Sequence, residues 1–314
     1  MQYDVMMLTL YVVTGLFIVV GGAMAYTVWR YRLKKGEDPN AIPDQSHGNP
    51  LIEVGLIVLS ASMLVIIGIP TLKGIAYMKN DPVEEYEGEA IEIIVTGYQW
   101  WWNFEYPELG IKTSNEFSIP TGRPVKLVLK AADVIHSFWV PKLAGKTDLI
   151  PGQINRMWIE ADEPGMYWGQ CAEFCGDSHA YMLFRTIALE PAEFDAWVEH
   201  QKSAPVEPES TLAHSGKALF TEKGCIGCHM VGKVGGLAGP DLTHFGSRAT
   251  LAAGWKANTL ENLKEWIQYP EKVKPGNLMY LGVGTMAGIK QIREEKGLSD
   301  GEVAALADYL HTLQ

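Results

Sequence analysis

Two long apolar segments dominate the first eighty residues of the chain. Residues 8–29 form an uncharged, largely apolar run, and residues 51–72 form a second run that is broken only by Glu53. A helix needs about 20 residues to cross the hydrocarbon core of a bilayer, and both runs are long enough. The pattern therefore predicts a transmembrane helical hairpin in residues 1–80.

The charges around the first apolar run predict its orientation. Arg30, Arg32, Lys34 and Lys35 follow the run directly, and Asp4 is the only charged residue before it. Cytoplasmic loops carry an excess of lysine and arginine, so the loop between the two helices is expected on the cytoplasmic side. Both the N-terminus and the chain beyond the hairpin are then expected on the outer side. A cleaved signal peptide is disfavoured, because the run lacks a preceding basic stretch and a small-residue cleavage site.

The middle of the chain, residues 81–204, changes to short segments typical of β-strands. AIEIIVTG, RPVKLVLKA, INRMWIEA and YMLFRTIAL are rich in β-branched and aromatic residues and are separated by turn residues. In RPVKLVLK, Val125, Leu127 and Leu129 share one face while two lysines share the other. Many short strands predict an antiparallel sandwich or barrel. The segment PAEFDAWVEH predicts a closing helix, and QKSAPVEPEST reads as a linker.

The last part, residues 205–314, has the pattern of a small helical domain. AHSGKALFTEKGC predicts an amphipathic helix. Ser299 and Glu302 have the spacing of a capping box at the start of a final helix. In that helix Val303, Leu306, Ala307 and Leu310 share one face.

Composition and charge narrow the function classes. Hydrophobic residues make up 47% of the chain and charged residues 20%, which excludes a disordered chain and a nucleic-acid binder. The net charge is −11, and residues 81–204 alone carry twenty acidic against nine basic residues. This acidity favours a cation or a basic partner in the middle segment, or else a solvated acidic surface.

The segment CAEFCGDSHAYM carries metal-binding chemistry. Cys171, Cys175, His179 and Met182 fall within twelve residues and form the soft ligand set that suits copper. Zinc is a rival, but a thioether is a poor zinc ligand and C-x3-C is not the usual structural-zinc spacing. A mononuclear blue-copper site is a second rival, but it would use only one cysteine. Two thiolates on one loop can instead bridge a pair of copper ions.

A dinuclear copper site needs a second imidazole from elsewhere in the chain. His136, in VIHSFWVPKLAGKTDLIPG, follows a predicted strand and is flanked by apolar residues that could seal the site. A lone histidine on an apolar face is more often a core residue. The nearby copper-type loop favours the interpretation as a ligand.

The segment GCIGCHM contains the C-x-x-C-H pattern of covalent c-type haem attachment, with Cys225, Cys228 and His229. The thiols would bind the haem and the imidazole would be the proximal iron ligand. A redox-active C-x-x-C is disfavoured by the histidine that follows and by the lack of a βαβ pattern. Methionine is the usual sixth ligand of an electron-transfer haem, and Met279 and Met286 both lie between the motif and the last helix.

Several of these segments resemble known families. CAEFCGDSHAYM, VIHSFWVPKLAGKTDLIPG and GYQWWWNFEY resemble signature segments of cytochrome c oxidase subunit II, and the resemblance covers roughly residues 10–190. It implies an all-β cupredoxin-like domain with a dinuclear CuA centre. The implied ligands are the side chains of His136, Cys171, Cys175, His179 and Met182 and the backbone carbonyl of Glu173. The carboxylate of Glu173 would reach a magnesium ion shared with the catalytic subunit.

The resemblance also implies two further roles. Trp100, the first tryptophan of QWWW, matches the electron-entry residue of that family. For at least one of the three tryptophans, an aromatic strand that packs a core or rests on the membrane surface is the simpler interpretation. Trp101 stands where the family usually has tyrosine or phenylalanine. Glu53 matches a glutamate at the mouth of a proton channel, whereas physics alone would favour an interfacial carboxylate that reaches water.

The last hundred residues resemble class I cytochromes c, an all-α fold. GPDLTHFGSR resembles the loop whose proline supports the proximal histidine, which points to Pro240. VKPGNLMYLG resembles the P-G-x-x-M ligand loop, which favours Met279 as the sixth ligand. Tyr280 replaces the proline that usually follows that methionine, and this departure keeps Met286 open.

A cytochrome c domain fused after a CuA domain resembles subunit II of caa3-type oxidases. The implied path takes electrons from an external donor, a cytochrome c or a donor complex, to haem c, then to CuA, then to the catalytic subunit. That subunit would reduce oxygen and pump protons. The implied partners are oxidase subunits I and III and membrane lipid, with no nucleic acid. The implied location is the bacterial inner membrane, with both cofactor domains on the outer side.

Other functions stay open at this point. CuA domains also serve nitric oxide reductases and nitrous oxide reductases, and the hairpin disfavours only the second, soluble enzyme. A membrane-anchored electron shuttle or copper carrier is a further alternative. The expected organisation is thus a transmembrane hairpin in 1–80, a CuA domain in 81–204 and a cytochrome c domain in 205–314.

Overall fold

The chain is described by a computed structural model that covers residues 2–38, 42, 47–79, 90–279 and 297–314. It divides into two compact units, Met1–Asn80 and Asp81–Gln314. Each unit has its own architecture and is considered by itself.

The first unit consists of two long apolar helices, α1 (Gln2–Tyr31) and α2 (Pro50–Lys79). At 1.5 Å per residue each helix is about 45 Å long, more than enough to cross a bilayer. The stretches Tyr3–Tyr31 and Pro50–Lys79 have mean hydropathies of 2.2 and 2.5. Their apolar side chains are largely exposed, as expected of surfaces that lipid covers. The two predicted apolar helices are confirmed.

The first half of the second unit is a β-sandwich of two five-stranded sheets. The first sheet has the order β3-β2-β1-β5-β8 and the second the order β4-β10-β9-β6-β7. The strands are β1 (Ile91–Tyr98), β2 (Trp101–Tyr106), β3 (Ile111–Ser114), β4 (Glu116–Pro120), β5 (Val125–Ala131), β6 (His136–Trp139), β7 (Thr147–Leu149), β8 (Asn155–Ile159), β9 (Gly165–Cys171) and β10 (Leu183–Leu189).

The alternation of apolar residues decides which face of each strand is buried. Val125, Leu127 and Leu129 of β5 are fully buried between the sheets, as the pattern predicts. Two strand pairs are parallel, whereas the sequence predicts antiparallel strands: β1 pairs with β5, and β10 pairs with β4. The reason is topological: β4 lies between β3 and β5 in sequence but joins the opposite sheet.

Aromatic side chains fill the space between the sheets. Trp102, Phe104, Phe138 and Phe184 are fully buried, and their rings meet at centroid distances of 4.6–5.9 Å. Gly169 is required on β9, since a Cβ there would lie 2.1 Å from the Phe184 ring. The helix α3 (Pro191–Lys202) closes the sandwich, as predicted.

The second half of this unit is a small domain of helices and short hairpins. Its helices are α4 (Thr211–Glu222), α5 (Leu260–Gln268), α6 (Pro270–Val273) and α7 (Asp300–Thr312). Its two hairpins are β11 (Met230–Val231) with β12 (Val234–Gly235) and β13 (Thr250–Leu251) with β14 (Lys256–Ala257).

The packing of α4 on α7 organises the core of this domain. The helices approach so closely that a Cβ on Gly216 would lie 2.0 Å from the carbonyl oxygen of Ala305. The capping box is confirmed, since the Ser299 hydroxyl accepts from the Glu302 amide and the Glu302 carboxylate accepts from the Ser299 amide.

Candidate redox centres

One end of the sandwich gathers sulfur and imidazole donors. Strand β9 ends at Cys171 and β10 begins at Leu183, so residues 172–182 form the connecting loop. Both cysteines are buried, and the Cys171 and Cys175 Sγ atoms lie 3.8 Å apart. The Sδ of Met182 lies 3.8 Å from the Cys175 Sγ.

Two imidazoles and one carbonyl complete this cluster. The Nδ1 of His136, the first residue of β6, lies 3.9 Å from the Cys171 Sγ, and the Nδ1 of His179 lies 3.6 Å from the Cys175 Sγ. The carbonyl oxygen of Glu173 lies 3.2 Å from the Cys171 Sγ, and its side chain is exposed. The structure therefore brings together all six donors that the sequence proposed, and this soft set fits copper.

The two thiols differ in pKa. Hydrogen bonding from Cys175, helped by His136, lowers the pKa of Cys171, and the same interaction raises the pKa of Cys175. The pair therefore gives up its first proton readily, and thiolate is the form that binds a metal.

A carboxylate and a glycine orient the His136 imidazole. The Nε2 of His136 lies 2.8 Å from the Asp133 Oδ1, so its Nδ1 faces the thiols. Burial lowers the pKa of His136, but the hydrogen bond to Asp133 and the neighbouring Cys171 offset this, and the net pKa is raised. A Cβ on Gly97 would lie 2.9 Å from the His136 ring, so β1 of the opposite sheet needs glycine at this position.

Trp100 lies directly on the thiol-bearing loop. Its indole Nε1–H donates to the carbonyl oxygen of Cys175 at 2.9 Å, and the Gln99 side-chain amide donates to the same oxygen at 2.7 Å. Trp100 is buried, and a Cβ on Gly176 would lie 2.9 Å from its ring. Trp100 thus belongs to the core, as the simpler interpretation has it, and also contacts a proposed copper ligand.

The C-x-x-C-H segment forms a compact turn in the C-terminal domain. A 3-10 turn covers Cys225–Gly227, and the amides of Cys228 and His229 both donate to the Cys225 carbonyl. The Cys225 side chain is half-buried and Cys228 is exposed. Burial raises the pKa of the Cys225 thiol.

The loop around Pro240 holds the His229 ring. The ring Nδ1 lies 2.8 Å from the Pro240 carbonyl oxygen, which accepts its hydrogen and leaves Nε2 free to bind a metal. Burial lowers the pKa of His229, which favours the neutral ligand form. A Cβ on Gly239 would lie 2.7 Å from the ring, so the backbone lies flat against it. These contacts fit a proximal haem ligand.

The remaining proposed residues have simpler surroundings. The Met279 amide donates to the Asn277 side chain, and the methionine is half-buried. Met286 and Tyr280 lie outside the described residues. Glu53 is exposed in the first turn of α2.

The C-terminal domain docks on the sandwich through the tip of its β13–β14 hairpin. Ala252, Ala253 and Gly254 adopt consecutive left-handed conformations, with φ of 52°, 60° and 73°. The Leu183 amide donates to the Ala253 carbonyl at 3.0 Å, and the Arg185 guanidinium donates to the Gly254 carbonyl at 2.7 Å. Arg185 is itself buried and lies over the Trp168 ring.

A second part of this docking seam reaches Trp100. The buried ammonium of Lys274 donates to the carbonyl oxygens of Trp100 and Ala252. The Ser178 hydroxyl donates to the Pro275 carbonyl at 2.5 Å. A Cβ on Gly276 would lie 3.0 Å from the Trp100 ring. The segment that leads to Met279 therefore lies against the copper-type loop.

The third part of the seam is a buried carboxylate. The two oxygens of Glu116, on β4, accept from the amides of Ala249 and Thr250 at 3.0 and 2.7 Å, and the Thr250 hydroxyl also donates to it. Glu116 is 5% exposed, so these are charge-assisted hydrogen bonds in a largely dry place.

Sequence reasoning missed the supporting residues. Asp133 has a local signal, because it precedes His136 by three residues. Lys274, Ser178 and Glu116 have none, since their partners lie far away in sequence.

Comparison with known proteins gives independent evidence about the family of this chain. A model of the family described as "Cytochrome C oxidase subunit II, periplasmic domain" matches residues 107–189, and the cytochrome c model matches residues 213–314. The loop with the paired thiols lies inside the first range and the C-x-x-C-H motif inside the second.

Individual relatives cover most of the chain. A cytochrome c oxidase subunit 2 of Alkalihalophilus pseudofirmus is 45% identical over 278 residues, which is 88% of this chain and 80% of that protein. The subunit 2 of Bacillus subtilis is 36% identical over 329 residues, 100% of this chain and 88% of that protein. A crystal structure of the periplasmic domain of subunit II of cytochrome oxidase (CoxB) of Bradyrhizobium japonicum is 34% identical, with a TM-score of 0.35. The match covers 37% of this chain and 97% of the CoxB domain.

Proposed function

The chain belongs to the cytochrome c oxidase subunit II family, and on that premise we propose that it carries electrons from an external donor to the catalytic subunit of a terminal oxidase. As a subunit II with a cytochrome c domain, it is membrane-bound and forms a complex with that catalytic subunit. Oxygen reduction and proton pumping take place in the partner in this proposal. The donor is a cytochrome c or a donor complex.

Each cofactor has a set of residues that would hold it. Cys225 and Cys228 attach a haem c, with His229 and Met279 as its iron ligands. A dinuclear copper centre is held by His136, Cys171, Glu173, Cys175, His179 and Met182. When bound, the two groups would each accept and release one electron. The exposed Glu173 carboxylate is free to reach a magnesium ion shared with the catalytic subunit.

The observation that carries the electron path is the seam between the two halves of the second unit. Lys274 and Gly276 lie on the short segment that leads to Met279, and both contact Trp100. Trp100 in turn donates to the carbonyl of Cys175. A continuous chain of bonds and hydrogen bonds thus joins the proposed haem-ligand loop to the proposed copper loop, which supports electron entry through Trp100.

The first unit supports the membrane part of the proposal. In this proposal the basic loop after α1 lies on the cytoplasmic side of a bacterial inner membrane and both cofactor domains lie on the outer side. Glu53, exposed in the first turn of α2, faces the mouth of a proton channel in the catalytic subunit. The apolar helix surfaces contact lipid and subunits I and III.

The identity of the complex can be tested by purifying it in mild detergent through a tag on this chain. A reduced-minus-oxidised spectrum is expected to show haem a together with haem c. Haem b with haem c and no haem a would contradict the proposal in favour of a nitric oxide reductase or another oxidase type. Haem c alone would contradict it in favour of an electron shuttle.

The electron path can be tested separately at Lys274. Burial lowers the pKa of this lysine to about 7, and its ammonium holds Trp100 to the cytochrome domain. In the purified complex, Lys274→Gln is expected to slow electron transfer from haem c to CuA after photoreduction of the haem. Lys272→Gln is the matched control, because that side chain is 74% exposed. Equal rates in the two variants would contradict the path.

A further inference from the structure

A cavity lies at the docking seam on the side of the sandwich where α3 ends. It has a volume of about 180 Å³ and is bounded by residues from both halves of the unit. The sandwich contributes Glu116, Ser118 and His200, and the C-terminal domain contributes His244 and Arg248. None of these residues belongs to the proposed copper or haem sites.

His244 has an unusual environment within this cavity. It is 5% exposed, and neither ring nitrogen has a hydrogen-bond partner among the described residues. A buried polar atom left without a partner costs about 1–3 kcal/mol. The His244 imidazole would therefore be stabilised by a ligand that accepts the lone pair or the hydrogen of a ring nitrogen.

His200 faces His244 from the other domain at a distance that suits a shared ion. The two ring centroids lie 4.8 Å apart, with an angle of 47° between the planes. Two imidazoles that bind one zinc ion at about 2.0–2.1 Å, with an angle between 90° and 109° at the metal, have centroids about 4.5–5.2 Å apart. The observed spacing falls within that interval.

The neighbours of His200 allow one ring nitrogen to face the cavity. Its Nδ1 lies 3.4 Å from the Gln201 side-chain amide, at the long limit of a hydrogen bond. The atom that faces Nδ1 is the Gln201 Nε2, which donates to the ring. A turn of the amide by 180° would place its oxygen there, so that Nδ1–H donates to the oxygen and the ring Nε2 keeps its lone pair for a metal.

The charges around the cavity balance before any ion binds. The Glu116 carboxylate is stabilised by three neutral hydrogen-bond donors, and the Arg248 guanidinium donates to the Asp241 carbonyl. One anion and one cation thus line the wall together with two imidazoles. Neutral imidazole nitrogens bind divalent transition metals, with copper and zinc at the strong end of the series.

From this arrangement we propose that His200 and His244 form a third metal site, which takes a divalent transition-metal ion of the zinc class. Water supplies the remaining ligands. Since one histidine comes from each domain, the ion fastens the cytochrome domain to the sandwich. It stabilises the docked arrangement by mass action, in proportion to the logarithm of its concentration above the dissociation constant.

The test is a zinc titration of the purified complex, with bound metal counted after equilibrium dialysis. Wild-type complex is expected to bind one equivalent of zinc that is lost in both His200→Ala and His244→Ala. His214→Ala is the matched control, since this histidine lies in the same domain as His244, is exposed and does not line the cavity. It is expected to keep the equivalent. Haem and copper absorbance verify that each variant is folded.

Two results would overturn the proposal. One is that His200→Ala binds as much zinc as the wild type. His200 lies near the end of a surface helix, so its replacement should not disturb folding. The other is a zinc equivalent that survives in both alanine variants, which would place the ion elsewhere. A second readout is amide hydrogen exchange in residues 245–248, which zinc is expected to slow in the wild type and not in His200→Ala.

Discussion

The carboxylate of Glu116 offers the sharpest test of how the two domains are held together. Its three donors all come from the cytochrome domain, at Ala249 and Thr250. In Glu116→Gln one oxygen becomes an NH2 group, so one amide loses its acceptor and the other hydrogen bonds lose their charge. A hydrogen bond to a charged group contributes about 1.5–3 kcal/mol. The population of the undocked state should therefore rise about 10- to 150-fold, since each 1.4 kcal/mol is a factor of ten.

Amide hydrogen exchange in the purified complex measures this opening. The amide of Leu183 is a suitable reporter, because it donates to the Ala253 carbonyl across the same seam and not to Glu116. Its exchange is expected to accelerate by the same factor in Glu116→Gln.

The control is Glu105→Gln, which removes the charge of a half-exposed carboxylate paired with Lys112 at 3.0 Å. Exposed pairs of this kind contribute about 0–1 kcal/mol, so the exchange of Leu183 should not change. If Leu183 exchanges within a factor of two of the wild-type rate in Glu116→Gln, Glu116 does not hold the seam and the reasoning fails.

Two further predictions concern the copper ligands and the cytochrome core. Asp133→Asn should weaken copper binding about 10–100-fold, because the carboxylate orients His136. Competition with a chelator, followed by the CuA absorbance, measures the affinity for copper. If the variant retains copper as well as the wild type does, the prediction is contradicted. Gly216→Ala should destabilise the cytochrome domain by about 1–3 kcal/mol, since its Cβ meets the Ala305 carbonyl. Thermal unfolding followed by haem absorbance checks this against Gly301→Ala, which has open space. An unfolding midpoint for Gly216→Ala that equals the control would refute the packing argument.

The sequence predicts those features whose signals are local. Cys225, Cys228 and His229 stand within five residues, and five of the six proposed copper ligands within twelve. The two apolar helices and the faces of strands such as β5 follow from periodicity alone, because burial of apolar surface dominates at these positions.

The features that the sequence does not predict depend on distant partners. Nothing in the sequence distinguishes Lys274 from other lysines, yet it is buried against Trp100, which is 174 residues away. Glu116 reads as part of a solvated acidic segment, yet its partner Thr250 is 134 residues away. The parallel pairing of β1 with β5 depends on a strand that crosses to the other sheet. No local pattern encodes such contacts.

The left-handed turn at Ala252, Ala253 and Gly254 has a consequence for work on dissected domains. An alanine in this conformation is disfavoured by about 1–2 kcal/mol, and two occur in succession. The Ala252 carbonyl accepts from Lys274 of the same domain, whereas the carbonyls of Ala253 and Gly254 accept from Leu183 and Arg185 of the sandwich. Contacts across the seam therefore compensate for part of the unfavourable backbone. A cytochrome domain produced without the sandwich would lose part of that compensation, and this turn would relax. Its isolated form would then be a misleading template for docking the two halves back together, since the surface to be matched exists only in the joined protein.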